Sequence, residues 1–529
     1  MCGQGSLQEV MRLEKIIIPS FFFLLLIIGG MIYRDYGISC DELFCTKLGQ
    51  LNFEYITQQN SSLLSFRDKD YPPAFETAII AFEEALGIIN QGLDAMFYFR
   101  HFFIFLSFYL GVLFLYLLIK RYFQNWFLGL LACLMLVLCP RIFAHSFFNS
   151  KDIPFMAFMI MGAFTSLRFL DKPNFRNACA HAFCCALAID TRIVGVLMPA
   201  MTLILYALRF FKSTQFKIKE AFYGLLFFLF GLFFFVILMW PMLWFDTAGN
   251  FNNALKSVLH IRYPFDIFYM GHWLKPSNHE LPWHYLPLWI ISTVPIMVLV
   301  LFSVGVFYWL SFYRGILKRM ADEPLGVLAL IWFFVPVLLG IIIKPTMYDG
   351  WRHFYFIYPP MIIIAMSGYR WVASNKKIQI IILSLLMLDM SATIWKIQKL
   401  HPYEHLYFNA LGGVNLKDSL ERFQLDSWGV EFRRPLERIL KNDNRSRITI
   451  YAPNVFTPLN LLLMSENQRA RLKFVKDYNQ AEYCIFDYYF MKTYKDMSFC
   501  GGELERLNIQ GVNIVSVYRK NDVRLQPKE

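Results

Sequence analysis

The chain has 529 residues, of which 57% are hydrophobic and 18% aromatic, and its formal net charge is +12. This composition is too apolar for an ordinary soluble protein and is typical of a membrane protein. A soluble chain with this charge would be a candidate to bind nucleic acid. Here the basic residues flank apolar segments, so no nucleic-acid partner is predicted.

About eleven stretches approach the length of about 20 apolar residues that crosses a bilayer. The first follows Arg12 and Lys15 and has no small-residue cleavage site after it, so it is predicted to be a retained helix. In chain order the predicted spans are residues 16–32, 100–119, 124–140, 153–170, 178–190, 193–211, 221–241, 286–312, 325–343, 354–370 and 377–395.

Short basic loops alternate with longer loops that carry acidic residues. The positive-inside rule places the basic loops in the cytoplasm, and loop 33–97 and residues 396–529 on the outer face. Asp190, Thr191 and Arg192 interrupt an apolar run and predict a tight outer hairpin, because charges in lipid are costly. The five basic loops carry Lys120 and Arg121; Arg168, Lys172 and Arg176; Lys212, Lys217 and Lys219; Arg314, Lys318 and Arg319; and Arg370, Lys376 and Lys377.

From about residue 396 the sequence becomes polar, with short β-rich runs at 447–451, 472–475, 483–486 and 512–518. We therefore expect a transmembrane domain at 1–395, with a large outer loop at 33–97, and an outer soluble α/β domain at 396–529. The predicted fold class is an α-helical polytopic membrane protein with this small C-terminal α/β domain. Cys484 and Cys500 would lie outside, where a disulfide or two free thiols are both compatible with the sequence.

The outer segments carry the residues suited to chemistry. Asp41 and Glu42 form an acidic pair just after the first span, and Tyr71-Pro72-Pro73 follows in the same loop. Apolar residues at helical spacing predict an interfacial helix over 76–90. Cations converging at the same membrane depth would suit a lipid phosphate beside a general base. The other polar residues of this face are His145, Asn149, Lys151, Asp152, Arg192, Lys344, Asp349, Arg352 and His353.

Several motifs resemble one family, the polytopic lipid-carrier-dependent glycosyltransferases of the protein O-mannosyltransferase and lipid A aminoarabinose transferase type. They are GIS-x-DE at 37–42, Tyr71-Pro72-Pro73, FAHSFFNSKDIPF at 143–155, PWHYLPLWI at 282–290, YDGWRHFYFIYPP at 348–360, HPYEHLYFNALGG at 401–413 and LDSWG at 425–429. The resemblance implies a GT-C fold in a bacterial inner membrane, with the active site and C-terminal domain on the periplasmic side. It also implies a polyprenyl-phosphate sugar donor, Asp41 as the catalytic base, and Glu42 as its support or as an acceptor contact.

The chemistry expected of such a site is inverting transfer of a hexosyl or pentosyl group to a glycan, lipid or protein. Four cationic or imidazole side chains are predicted to contact the donor phosphate, and five further residues to bind substrate. No cofactor is predicted with certainty; Asp41 and Asp152 are candidates to hold a divalent cation. The phosphate contacts are Lys151, Arg192, Arg352 and His353, and the substrate contacts are Tyr71, His145, Asn149, Asp152 and Asp349.

Two other function classes remain compatible with many spans. A polytopic transporter or lipid flippase would carry charges or Gly/Pro breaks at mid-bilayer, often in two matching halves. The charges of this chain instead lie at the outer ends of the spans, and no matching halves are recognisable. A non-catalytic scaffold would explain the C-terminal domain but not the clustered cations.

Overall fold

The computed structural model describes residues 2–212, 218–259, 263–311, 323–425, 428–488 and 500–520. Helices dominate the first 400 residues. They are α1 (Cys2–Ile32), α2 (Glu42–Ile56), α3 (Ala74–Ala85), α4 (Leu93–Phe123), α5 (Trp126–Val137), α6 (Pro140–Phe148), α7 (Asp152–Asp171), α8 (Phe175–Ile189), α9 (Leu197–Lys212), α10 (Ile218–Met239), α11 (Thr247–Leu259), α12 (Tyr285–Thr293), α13 (Ile296–Ser311), α14 (Pro324–Ile343), α15 (Tyr358–Val372) and α16 (Lys376–Leu400).

The helices define a polytopic α-helical membrane protein. Within the described residues, seven helices are long and apolar enough to cross a membrane, and α5 with α6 makes an eighth if this bent pair is one span. Each predicted span falls on a helix or on a pair of helices. Two of them, 124–140 and 286–312, are not continuous. The chain bends by 71° between α5 and α6, and α12 ends before Pro295, because a proline disfavours helical backbone at the residue before it.

The helix bundle has two chemically different ends. At one end, Asp171 forms ion pairs with Arg121 (2.8 Å) and Arg209 (3.0 Å), so α4, α7 and α9 finish together. The opposite end carries the loops with the candidate site residues. Of the predicted basic loops, Lys217 and the set Arg314, Lys318 and Arg319 lie outside the described residues.

The long loop between α1 and α4 is folded and fixed to the bundle. The predicted interfacial helix is α3, which ends at Ala85, earlier than expected. Arg100 of α4 forms buried ion pairs with Glu76 and with Glu83, the latter at 3.3 Å. Removing one partner from such a buried group leaves an uncompensated charge, so this contact anchors the loop strongly.

The last part of the chain contains a five-stranded sheet beside short helices. Its strands are β3 (Ile448–Tyr451), β4 (Leu472–Phe474), β5 (Tyr483–Asp487), β6 (Gly502–Ile509) and β7 (Val512–Arg519), while β1 (Ile267–Tyr269) and β2 (His272–Leu274) form a separate hairpin. The sheet order is β4-β3-β5-β7-β6, with parallel pairs around β3 and antiparallel pairs around β7. All four predicted strands are present. Cys484 and Cys500 are buried in one cluster as free thiols.

Candidate active site

The loop that carries Asp41 is held by residues distant in sequence. Asn460 accepts a hydrogen bond from the backbone N–H of Ile38 (2.9 Å), and the Trp428 carbonyl accepts one from the N–H of Cys40 (2.8 Å). A Cβ on Gly37 would lie 2.2 Å from the Val430 carbonyl oxygen, so only glycine fits there. Asp41 then occupies the residue before α2, at the end of the bundle.

Glu42, although adjacent to Asp41, points into the protein. It is 1% exposed, and its carboxylate accepts a hydrogen bond from the N–H of Ser39 (2.7 Å) and contacts His101 Nε2 (3.0 Å). Successive residues at the start of a helix point in different directions, which separates the two acids. The acidic pair of the sequence therefore divides into one partly exposed and one buried carboxylate.

The turn between α6 and α7 positions Lys151 and Asp152. Asn149 Oδ1 accepts from the N–H of Asp152 (2.9 Å), and its Nδ2 donates to Asp152 Oδ2 (2.9 Å). The same Nδ2 lies 3.0 Å from His145 Nδ1. His145 and Asn149 are both buried. They hold the turn, and Asp152 behind it is 2% exposed.

The predicted hairpin after α8 forms as a turn but is buried. Asp190 is 0% exposed, and its carbonyl accepts from the N–H of Ala74, which ties the Tyr71-Pro72-Pro73 segment to it (2.9 Å). Arg192 forms an ion pair with Asp152. The hairpin was expected at the water interface, but it packs within the protein because Arg192 has a carboxylate partner there.

Arg352 lies beneath two aromatic rings before α15. Its guanidinium carbon is 4.7 Å from the ring centre of Tyr348 and 4.6 Å from that of Trp428. Asp349 contacts Arg352 Nε (3.4 Å) from a left-handed backbone conformation with φ 54°, followed by Gly350 at φ 71°. Aspartate tolerates this conformation better than most residues.

Six charged side chains from four separate segments meet here, and we name them the charge cluster: Asp41, Lys151, Asp152, Arg192, Asp349 and Arg352. Arg352 Nη1 reaches both Asp41 (3.2 Å) and Asp152 (3.4 Å), while Lys151 Nζ lies 3.6 Å from Asp41. The Asp41 side chain is 25% exposed, and those of Lys151 and Arg192 are 13% exposed, against 1% for Arg352. A ligand therefore meets the first three before it meets Arg352.

The cations control the charge state of Asp41. Burial raises its pKa, but the positive charges of Lys151, Arg352 and Arg192 outweigh burial and lower the pKa to about 2. Burial lowers the pKa of Lys151, but the acidic groups around it, Asp41 first among them, together raise this pKa above its ordinary value. Asp41 and Lys151 are thus both ionised, within a cluster of three acidic and three basic side chains.

The remaining predicted residues line this region. Lys151 Nζ lies 4.5 Å from the ring centre of Phe44 and 5.2 Å from that of Tyr71, so both rings face its ammonium group. Burial, followed by the charges of Arg352, Arg192 and Lys151, lowers the pKa of His353 well below its usual value. His353 is therefore a neutral imidazole, able to donate a hydrogen bond but adding no positive charge.

The donor set does not fit a divalent cation. Such ions take several oxygen ligands, whereas Asp41 and Asp152 are already paired with guanidinium groups and three cations surround them. Across the described parts of the chain, no group of three or more His, Cys, Asp and Glu side chains is gathered. The charges present suit an anion better.

Sequence reasoning identified all six members of the charge cluster but missed their supports. Asn460, which fixes the Asp41 loop, lies 422 residues away from its partner. Phe44 faces Lys151 but lies in none of the motifs, so the sequence does not distinguish it from a core aromatic residue. Tyr348 opens the motif at 348–360, but its place over Arg352 follows only from the fold. Trp428 belongs to the LDSWG motif, but its place over Arg352 follows only from the fold.

Comparison with known proteins confirms the family resemblance for part of the chain. Residues 96–240 match the sequence model of the dolichyl-phosphate-mannose-protein mannosyltransferase family. This range includes Lys151, Asp152 and Arg192. Asp41, Asp349 and Arg352 lie outside it.

No curated protein matches the chain in sequence. Two solved structures of ArnT from Cupriavidus metallidurans are similar in three dimensions. The one bound to undecaprenyl phosphate is 12% identical, covers 96% of this chain and 99% of its own, and has a TM-score of 0.47. The apo structure is 11% identical, covers 94% and 98%, and has the same TM-score of 0.47.

Proposed function

We propose that this chain is an integral membrane glycosyltransferase that moves a sugar from a polyprenyl-phosphate donor to an acceptor hydroxyl. The charge cluster carries the proposal, because its most exposed carboxylate, Asp41, pairs with the partly exposed Lys151, while Arg192, exposed to the same degree, pairs with Asp152 in the same cluster. The family match over residues 96–240 supports it, since the description of that family names a lipid-phosphate sugar and its transfer.

Lys151 and Arg192 are the first contacts of the donor phosphate in this proposal. Both are partly exposed, and each is paired with a carboxylate that a phosphate can displace. Arg352 is deeper and holds Asp41, Asp152 and Asp349 together. We assign it to positioning the carboxylates, with a phosphate contact only after the cluster rearranges.

Asp41 is the general base. The acceptor hydroxyl oxygen attacks the anomeric carbon, its proton passes to Asp41, and the bond from the sugar to the phosphate oxygen breaks with its electron pair on the phosphate. The cations stabilise that developing charge, so no general acid is required. Attack opposite the leaving phosphate inverts the anomeric centre.

Donor binding would activate this base. With a pKa of about 2, Asp41 is a weak proton acceptor in the free protein. A bound phosphate adds negative charge and draws Lys151 and Arg192 away from the carboxylates, and both effects raise the pKa of Asp41. Proton abstraction is thereby coupled to the presence of the donor.

The other predicted residues support this centre. Glu42 faces His101 and Ser39, so we assign it to positioning the start of α2 and not to the acceptor. His145 and Asn149 maintain the turn that presents Lys151. Tyr71 and His353 border the cations and are available to contact the donor.

The charge cluster is proposed to face the periplasm from a bacterial inner membrane, with the C-terminal sheet on the same side. The support is the positive-inside distribution of the basic loops. Asn60→Cys and Lys520→Cys variants should both react with a membrane-impermeant maleimide in intact spheroplasts. Protection of either site until the membrane is permeabilised would overturn this topology.

Asp41→Asn tests the base. The substitution keeps the size of the side chain and removes its proton acceptor, so turnover should fall by about 10²-fold or more while the protein stays folded. Asp35→Asn is the matched control, because Asp35 is an exposed carboxylate of the same loop and pairs with His401 outside the charge cluster. Near-normal turnover of Asp41→Asn would remove Asp41 from this role.

A further inference from the structure

A cavity distinct from the charge cluster lies between the β1–β2 hairpin, the segments 405–425 and 428–431, and the C-terminal sheet. Its volume is about 390 Å³, within the range typical of small-molecule sites. Its walls come from three parts of the chain that are far apart in sequence, and the sheet contributes Asn513 of β7.

The lining combines aromatic faces with amide and carboxyl groups. Phe268 and Trp273 stand side by side with ring centres 5.4 Å apart, and Trp273 is 44% exposed although it is a large aromatic residue. Gln424, Glu431 and Asn513 supply hydrogen-bonding groups. Neither Lys nor Arg occurs among the described residues of this lining.

One buried nitrogen of the wall has no protein partner, and one buried carboxyl has a raised pKa. His405 is 1% exposed and its Nδ1 has no hydrogen-bond partner within the described structure, which is costly for a buried nitrogen. Burial raises the pKa of Glu431 to about 8. Near neutral pH this carboxyl is mostly protonated and able to donate a hydrogen bond.

A smaller void separates the cavity from the charge cluster. A smaller space of about 10 Å³ shares Phe268, Gln424 and Leu425 with the cavity and ends at Asp349 and Gly350. Asp349 is the member of the charge cluster that contacts Arg352 Nε. A molecule in the cavity would therefore be separated from the charge cluster by this small void and by Asp349.

We propose that this cavity binds a sugar ring of the acceptor next to the charge cluster. Aromatic faces pack against the C–H faces of sugar rings, while amides and carboxyls exchange hydrogen bonds with hydroxyls. A lipid chain would not require the polar groups, and a phosphate would require cations that the lining lacks. The inference rests on the proposed function for the role of the sugar as acceptor, but not for sugar binding itself.

Binding of simple neutral glycosides to the purified full-length protein tests the inference. The probes are the methyl glycosides of glucose, galactose, mannose and N-acetylglucosamine, detected by saturation-transfer NMR without any donor. We expect at least one to bind, and Trp273→Ala and Asn513→Ala each to weaken its binding by about tenfold. Trp283→Ala should bind normally, because Trp283 is 65% exposed and outside the cavity.

The outcomes separate this inference from the proposed function. Binding to none of the four glycosides, or equal binding by wild type and both cavity variants, overturns the sugar site whatever the activity of the protein. Glycoside binding that both variants weaken supports the site. If wild-type protein then releases no polyprenyl phosphate from a sugar-charged lipid, the site stands and the transferase assignment fails.

Discussion

Replacing Lys151 with Met should raise the pKa of Asp41 by an amount that can be measured. Burial raises this pKa, and the charges of Lys151, Arg352 and Arg192 lower it to about 2. Lys151 Nζ lies 3.6 Å from Asp41 Oδ2, and an opposite charge this close lowers a carboxyl pKa by about one to three pH units, or about 1.4–4 kcal/mol. We therefore expect a pKa of about 3–5 in the variant.

The direction of the pH dependence follows from the base role. Asp41 accepts a proton only when ionised, so activity that depends on it is lost as the pH falls through its pKa. In the wild type this loss lies near pH 2, and kcat/KM, which reports the free enzyme, should show no acid limb from Asp41 above about pH 4. In Lys151→Met the residual activity should decline as the pH falls through about 5 to 3.

Labelling with a water-soluble carbodiimide provides a direct assay, because the reagent reacts with protonated carboxyl groups. The extent of modification of the peptide containing Asp41 is measured by mass spectrometry from pH 4 to pH 7. Wild type and the control Lys47→Met, which alters an exposed lysine of α2, should be labelled weakly throughout. Labelling of Lys151→Met should increase below about pH 5. Strong labelling of wild type near pH 6, or identical curves for all three proteins, would refute the electrostatic reasoning.

Three further substitutions test the site and the packing. Arg352→Lys should lose most activity, because a single ammonium cannot span the three carboxylates that the guanidinium contacts. The control Arg209→Lys changes a partly exposed ion pair at the other end of the bundle and should leave turnover unchanged. Equal turnover of the two variants would mean that Arg352 only anchors its segment. Arg100→Leu should destabilise the protein by about 3–5 kcal/mol, since two buried carboxylates lose their partner, and an unchanged thermal unfolding curve in detergent would contradict this. Gly368→Ala should lower the free energy of unfolding by about 1–3 kcal/mol, because the added Cβ would lie 2.5 Å from backbone atoms of α13. The control Gly30→Ala has open space around its Cβ and should unfold like wild type. Equal melting temperatures of the two variants would show that α13 and α15 can move apart to accept the methyl group.

The membrane-spanning part was predictable because apolar length is a strong local signal. The breaks within two of the spans were harder to predict from the sequence. Pro140 and Pro295 mark the two interrupted spans, but proline alone does not distinguish a kink from the end of a helix. The short hairpin of β1 and β2 was not predicted, nor was β6 of the C-terminal sheet. β6 begins with Gly502-Glu503-Leu504-Glu505, whose first residues are exposed at the edge of the sheet and lack a clear apolar pattern.

The sequence predicted which residues form the candidate site but not how their side chains are arranged. The placement of Asp41, Lys151 and Arg192 at one end of the bundle follows from the spans that flank them. That Arg352 faces three carboxylates, and that Glu42 turns inward to His101, depends on side-chain directions set by tertiary packing. No local pattern encodes such directions, and none would pair Asn460 with the loop that presents Asp41.

Release of the lipid carrier tests the central claim most directly. Purified protein in nanodiscs is incubated with a panel of polyprenyl-phosphate sugars, and free polyprenyl phosphate is quantified by mass spectrometry. The account predicts release from at least one donor, and a rate lower by about 10²-fold or more in Asp41→Asn. A transporter or flippase would instead move the sugar-charged lipid between leaflets intact. Movement of the lipid without release of polyprenyl phosphate would contradict the account.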